Sequence, residues 1–275
     1  MIQELKNKHI YVLCGGSSQE REISLKSGNN VLTALQALGY NTSILDPSIT
    51  PISSIKNNIA FLALHGPGYE DGQLQEELAT HNIAYTGCGI YASQVGMDKV
   101  KTKELCNKKQ LPTAPFILCN HPLKQVPYSF SFPVIVKPTN EGSSIDVHII
   151  DTNDELLTIT SQLTQKYTHY LLETYIQGRE LTVSIVDNPN PIALPILELI
   201  PKNRFYDFEA KYTKGLTTFD LPARLTKQQE THIKSTALDI YKAAKCSGAA
   251  RIDLMLCPNK GPFILEINTL PGMTQ

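Results

Sequence analysis

The sequence has no long apolar run. Its richest stretches, such as IAFLALHG at 59–66, fall far short of the roughly 20 residues a membrane-crossing helix needs. It also lacks a surplus of either charge. Twenty-five Lys and Arg stand against 26 Asp and Glu, a net charge of −1, so there is no electrostatic footprint for nucleic acid or an anionic membrane surface. No Cys-x-x-Cys pair occurs among Cys14, Cys88, Cys106, Cys119, Cys246 and Cys257, and their spacings suit no zinc site. Such thiols read as small buried hydrophobes kept reduced, which places the protein in the cytoplasm. The opening MIQELKNKHIYVLCGG puts charges before a short apolar run, which fits a first strand better than a signal peptide. Internal repeats and low-complexity tracts are missing as well.

What is present is an ordinary globular composition, 41% apolar and 19% charged, over 275 residues. That length accommodates one large or two to three small domains. The first third alternates strand and helix: HIYVLCG (9–15), an amphipathic helix over 20–39, NTSILD (41–46), IAFLALHG (59–66), then a helix beginning DGQLQ. This β-α-β-α order predicts an open parallel sheet, with its chemistry beyond the strand ends at Gly15–Gly16 and His65–Gly66. A charged helix over 98–110 follows, with Asp98 as candidate N-cap, and LPTAPF then breaks the pattern. From 132, short strands (FPVIVKP, DVHII, YLLETYI, GRELTVSIV) and a helix at 153–166 suggest a small α+β unit. A third block holds a strand IALPILELI, a polar stretch 202–222, a helix near 226–246, and strands GAARIDLML and FILEIN.

Three constellations carry possible chemistry. In VIVKPTNEGSSIDV (134–147) a strand delivers Lys137 to a Gly-Ser-Ser loop. Backbone N–H groups of such a loop form an anion nest, and the lysine adds a point charge for phosphate. The alternative is a plain hairpin with a surface lysine. In the closing segment, Asp253 lies on one strand and Glu266 and Asn268 on the next, across the turn PNKGP. Side chains at i and i+2 share a face, so three hard oxygen ligands converge as Mg²⁺ prefers. Arg251, two residues before Asp253, joins that face; a solvated charged hairpin is the other reading. Lys99, Glu173 and Glu180 acquire a role only if a nucleotide lies between them and the Lys137 loop. TGCGIYA (86–92) fits a dinucleotide fingerprint, but no strand ending in an acidic residue follows at the needed distance.

Taken together, VLCGGSSQEREISLKSG, ALHGPGYEDGQLQ, YTGCGIYASQVGMDKVKTK, PVIVKPTNEGSS, GRELTV, FYDFEAKY, ARIDLML and LEINTLPGMT closely resemble the D-alanine–D-alanine ligases of the ATP-grasp superfamily. The resemblance runs in family order from residue 12 to 274. It implies an α/β fold: an N-terminal open parallel-sheet (Rossmann-like) substrate-binding domain (1–95), then a two-part ATP-grasp fold. That fold divides into a central subdomain (96–184) and a C-terminal catalytic subdomain (185–275) whose loop 202–222 closes over the site. It implies phosphorylation of a first D-alanine by ATP, attack by a second, two Mg²⁺ (or Mn²⁺) ions, and a role in peptidoglycan synthesis; the family is commonly homodimeric. Carried over by position, Lys99, Lys137 and Lys211 resemble phosphate ligands, with Ser143 and Ser144 in the ATP loop. Glu173 and Glu180 match the adenine-edge and ribose carboxylates, and Asp253, Glu266 and Asn268 the metal ligands. Glu20 resembles the residue that holds the first ammonium, His65 a substrate-pocket residue, and Arg251 with the Gly272 N–H the oxyanion pair. Tyr212 resembles the residue that ties the closed loop to Ser143 and Glu20, and tyrosine there favours D-alanine over D-lactate as second substrate.

The sequence departs from the family twice. Where the pattern is Ser-Ser-x-Gly, this chain has Ser143-Ser144-Ile145-Asp146. If that position has positive φ, Asp tolerates it less well than Gly, and its charge is expected to weaken ATP binding. Family members also continue for some thirty residues past Pro-Gly-Met-Thr, including a Ser for the second carboxylate. These departures motivate a rival reading, a truncated, weakly active or inactive ATP-binding homologue.

Overall fold

The computed structural model of the chain describes residues 5–142, 144–187, 189–202, 213 and 215–274. Strands β1 (Ile10–Leu13), β2 (Thr42–Leu45), β3 (Ile59–Leu62) and β4 (Ala84–Tyr85) form a parallel sheet in the order β2-β1-β3-β4. Parallel neighbours need crossovers, and α1 (Arg21–Ala37) and α2 (Gln73–Thr80) supply two of them. In α1 the buried positions Ser24, Ser27, Gly28 and Val31 recur at the i, i+3, i+4, i+7 spacing of a helical face. Gly28 permits the close approach to β1, because a Cβ there would sit 2.4 Å from both Cβ and Sγ of Cys14. Gly28→Ala is therefore expected to destabilise the protein by about 1–3 kcal/mol through overpacking, read as a lower denaturant midpoint.

The loops after β1 and β2 are tied together beyond the sheet. The Asp46 carboxylate accepts the Gly16 N–H at 3.0 Å and pairs with Arg21 Nη2 at 2.7 Å. Gly15 lies at φ +91°, and a Cβ there would come within 2.3 Å of Asp46 Oδ2, so only glycine fits the turn. This bracing positions the start of α1, where Glu20 stands.

Helix α3 (Ile90–Met97) leads into α4 (Lys99–Lys108), and Asp98 caps α4 as its sequence position suggests. Its Oδ1 accepts the N–H groups of Val100 and Lys101 at 2.9 and 3.2 Å. Strands β5 (Phe116–Cys119), β6 (Val134–Pro138), β7 (His148–Ile150) and β8 (Tyr170–Thr174) form an antiparallel sheet in the order β5-β8-β6-β7. Helix α5 (Asn153–Lys166) belongs to this unit, whose core contains Val134, Val136, Leu156, Leu163 and Leu172.

The third sheet holds β9 (Arg179–Asp187), β10 (Pro191–Ala193), β11 (Leu197–Pro201), β12 (Thr217–Asp220), β13 (Ala249–Cys257) and β14 (Gly261–Asn268). Its order is β12-β11-β9-β13-β14, with β10 paired to β9. Helix α6 (Lys227–Ala243) shares its core with Leu181, Val183, Ile185, Ile252, Leu254 and Ile264.

Two expectations change here. GRELTVSIV does not join the small α+β unit: β9 pairs with β11 and β13. Leu181, Val183 and Ile185 on alternate positions need a buried face, and the core under α6 provides it. IALPILELI is two strands, because Pro195 cannot donate to a ladder. Among the described residues, no helix is long and apolar enough to cross a membrane.

Candidate active site

The β13–β14 hairpin sets Arg251 opposite Asn268 and Asp253 opposite Glu266. Two carboxylates facing each other across a ladder repel unless cations intervene. Asp253 is buried and neutralised by neighbours: Oδ1 accepts from Thr182 Oγ1 at 2.6 Å and Arg251 Nε at 2.9 Å, and Oδ2 from Arg251 Nη2 at 2.7 Å. Glu266 Oε2 lies 3.9 Å from Lys99 Nζ. Asn268 Oδ1 is buried with no hydrogen-bond partner among the described residues. Burying such an oxygen unmet costs roughly 1–3 kcal/mol. A carboxylate pair beside an orphaned amide oxygen is a hard donor set, and it fits Mg²⁺. Among the described residues no group of three or more His, Cys, Asp and Glu is placed to hold a metal.

A second charged group lies under the Lys137 loop. The buried Glu173 carboxylate takes Lys103 Nζ at 2.5 Å on one oxygen and pairs with Lys137 on the other. Burial alone would raise the Glu173 pKa, but the two ammonium groups override it and hold the carboxyl below its ordinary value. Burial lowers the Lys103 pKa, and Glu173 opposes that shift. Lys103 also donates to Thr113 Oγ1 at 3.0 Å and to the Ala114 carbonyl at 3.1 Å. The sequence reading missed Lys103. Its signal was available, since Lys99 and Lys103 are four apart on α4 and so share a face.

The loop after Lys137 is anchored at both ends. Lys99 Nζ donates to the Glu141 carbonyl at 2.5 Å, and Ser144 and Asp146 have φ of 58° and 52°. Asp146 thus occupies the left-handed position its sequence context raised. Its carboxylate accepts the Tyr167 hydroxyl at 2.8 Å and pairs with Lys166 at 3.1 Å, at the end of α5. Burial would raise its pKa; Tyr167 and Lys166 prevail and keep it low. This negative charge is met by Tyr167 and Lys166.

From the first domain come Glu20 and His65. Glu20 Oε2 would lie 3.0 Å from a Cβ at Gly66, so the two loops meet there. His65 is buried: its Nδ1 is 3.6 Å from Glu70 Oε1, its Nε2 3.4 Å from Ser27 Oγ, and its carbonyl accepts Ser18 Oγ at 2.6 Å. Glu70 Oε2 in turn accepts the Gly66 N–H at 2.9 Å.

These parts surround one cleft. Its larger lobe, about 380 Å³, is lined by Glu20, His65, Arg251, Asn268 and Gly272. The smaller, about 130 Å³, receives Lys137, Ser144 and Glu173 among the apolar side chains Ala114, Ile135, Ile176 and Met255. Lys99, Glu180, Asp253 and Glu266 line both lobes. A narrow apolar slot suits a flat base, and the polar lobe beyond it a small charged substrate. Glu70 and Thr182 also line the larger lobe, and the sequence reading passed over both. Ser143, Lys211 and Tyr212 lie outside the described residues.

Residues 94–275 match the family model "D-ala D-ala ligase C-terminus". A D-alanine–D-alanine ligase of Pseudothermotoga lettingae is 42% identical over 272 residues, covering 96% of this chain and 90% of that protein. The chain belongs to the D-alanine–D-alanine ligase family. A second ligase of this name, from Methylacidiphilum infernorum, is 41% identical over 98% of the chain and 87% of its own length. Among solved structures, the D-alanine–D-alanine ligase of Bacillus anthracis superposes with a TM-score of 0.84 at 32% identity, covering 98% of this chain and 88% of that one. The same enzyme complexed with ATP gives 0.82 at 31% identity. The fold is therefore the mixed α/β, ATP-grasp architecture of that family.

Proposed function

We propose that the protein is an ATP-dependent ligase that joins two D-alanine molecules into D-alanyl-D-alanine, a precursor for peptidoglycan. The observation that carries this is a pair of adjoining lobes that share Lys99, Glu180, Asp253 and Glu266, the smaller mostly apolar and lined also by Lys137, the larger more polar. The relatives of the same name, matched over nearly their whole length, support the same reaction.

A carboxylate is a poor electrophile, so it must first be phosphorylated, and the bound acylphosphate then loses phosphate to an attacking amine. Lys99 and Lys137 carry positive charge to the transferring phosphate, and Glu173 and Glu180, which line the smaller lobe, meet the adenine edge and the ribose in this reading. Ser143, Ser144 and Lys211 complete the phosphate contacts in this reading. Glu20 receives the ammonium of the first D-alanine at the mouth of α1, and His65 lines the same pocket. Arg251, held in place by Asp253, and the Gly272 N–H face the oxygen that becomes negative as the second amine adds. Tyr212, by its resemblance to the family's loop tyrosine, has the role of excluding water that would hydrolyse the acylphosphate. Asp253, Glu266 and Asn268 are suited to hold Mg²⁺, supported by the orphaned Asn268 oxygen. When bound, such ions neutralise phosphate charge. The free thiols support action in the cytoplasm.

The test is direct. Purified protein supplied with ATP, Mg²⁺, K⁺ and D-alanine should release phosphate and form dipeptide in equal amounts. A rate no greater than that of a Glu266→Ala control would overturn the reading.

A further inference from the structure

The turn that bears the oxyanion amide receives little support from its own surroundings. Gly272 is exposed, and a Cβ placed on it would touch nothing within 4 Å. Pro271 has a ring-locked φ, so the Gly272 N–H turns with Pro271 ψ alone on that side, and on the other it is linked to the Met273 peptide only through the φ and ψ of a glycine, the most permissive residue type. Something must fix the next peptide, and that support comes from the other end of the sequence. The Met273 N–H donates to Ser27 Oγ at 3.1 Å, and the Met273 carbonyl accepts Asn30 Nδ2 at 2.9 Å. The Met273 side chain packs against the cluster of Val12, Cys14, Val31 and Ala63. Ser27 is fully buried, and its hydroxyl is also 3.4 Å from His65 Nε2.

We propose that Ser27 and Asn30, one turn apart on α1, are positioning residues that clamp both backbone groups of Met273 and so aim the Gly272 N–H at the reacting centre. The proposal rests on the ligase reading above. Held by Pro271 on one side and this clamp on the other, the Gly272 amide is oriented before substrate arrives. A preorganised donor of this kind is worth on the order of 10²–10³-fold in rate, and a loosened one retains part of that. The clamp also joins the first-substrate domain to the catalytic hairpin, so the pocket containing Glu20 and His65 and the oxyanion donor are located by one helix.

Ser27→Ala removes the acceptor while nearly preserving shape. Asn30→Asp replaces the donor with an acceptor, without touching the hydroxyl that meets His65. Each is expected to lower kcat roughly tenfold and to leave the KM for ATP within twofold, because the clamp acts in the transition state. Each should also weaken binding of a dipeptide phosphinate, tetrahedral at the reacting centre, by a similar factor. Independently of activity, Ser27→Ala should speed hydrogen exchange of the Met273 amide about tenfold. Unchanged exchange at Met273, an unchanged kcat in both variants, or a loss matched by an equal rise in the KM for ATP would each overturn the clamp. A parent protein that forms no dipeptide would instead sink the ligase reading, and the exchange measurement would still decide the clamp.

Discussion

Glu173→Leu is expected to lower the stability of the protein by about 3–5 kcal/mol, among the largest losses any single substitution here would cause. Glu173 sets its carboxylate between Lys103 and Lys137, two cations that are themselves buried. Removing it leaves two ammonium groups to share a low-dielectric site. For a chain of this size the loss corresponds to a melting temperature roughly 10 °C lower, measurable by calorimetry. Lys103→Met makes the contrast, since Glu173 keeps Lys137 and its cost should be less than half as large. An equal cost for the two variants would show that packing, not charge, dominates there. The sign with pH follows from the lowered Glu173 pKa. Its contribution is complete above the ordinary value of 4.5 and is lost as pH falls through the lower, folded value. The parent should therefore lose stability in acid more steeply than Glu173→Leu.

Glu266→Gln should reduce kcat by about 10³-fold, near 4 kcal/mol of transition-state stabilisation, with much less effect on folding. The substitution preserves shape and removes the negative charge that faces both Asp253 and Lys99. It also relieves a carboxylate–carboxylate repulsion, so the melting temperature should hold or rise. Steady-state phosphate release with saturating ATP and D-alanine measures the first effect, and a thermal scan the second. A kcat within tenfold of the parent would remove Glu266 from the centre of the chemistry.

Much of this arrangement was legible in the chain itself. The spacing of Asp253, Glu266 and Asn268 across a turn is enough to bring them to one face, and the hairpin register does so. The capping role of Asp98 and the span of the helix at 153–166 likewise follow from local rules, N-cap chemistry and a 3.6-residue period. Glycine at 15 and 16 marks a turn that only a residue without a side chain can make beside Asp46.

Other features depend on which segments the fold brings together, and local pattern carries no such information. Strand β9 follows the small unit in sequence yet pairs with the hairpin, because its apolar face is buried only there. Lys103 reads as one lysine among several on a charged helix. Only packing reveals that it is buried against Glu173, where charge balance makes the pair a structural requirement. The partners of Asp146, Tyr167 and Lys166, lie some twenty residues on, and no local pattern pairs them with it. Ser27 and Asn30 are two polar residues on a helix, separated from Met273 by more than 240 positions. The sequence by itself determined the local elements and which polar side chains share a face, through strand alternation, turn glycines and helix caps acting over a few residues. The tertiary structure decided which charges are buried together and which backbone groups are held, because those energies depend on distance in space and not along the chain.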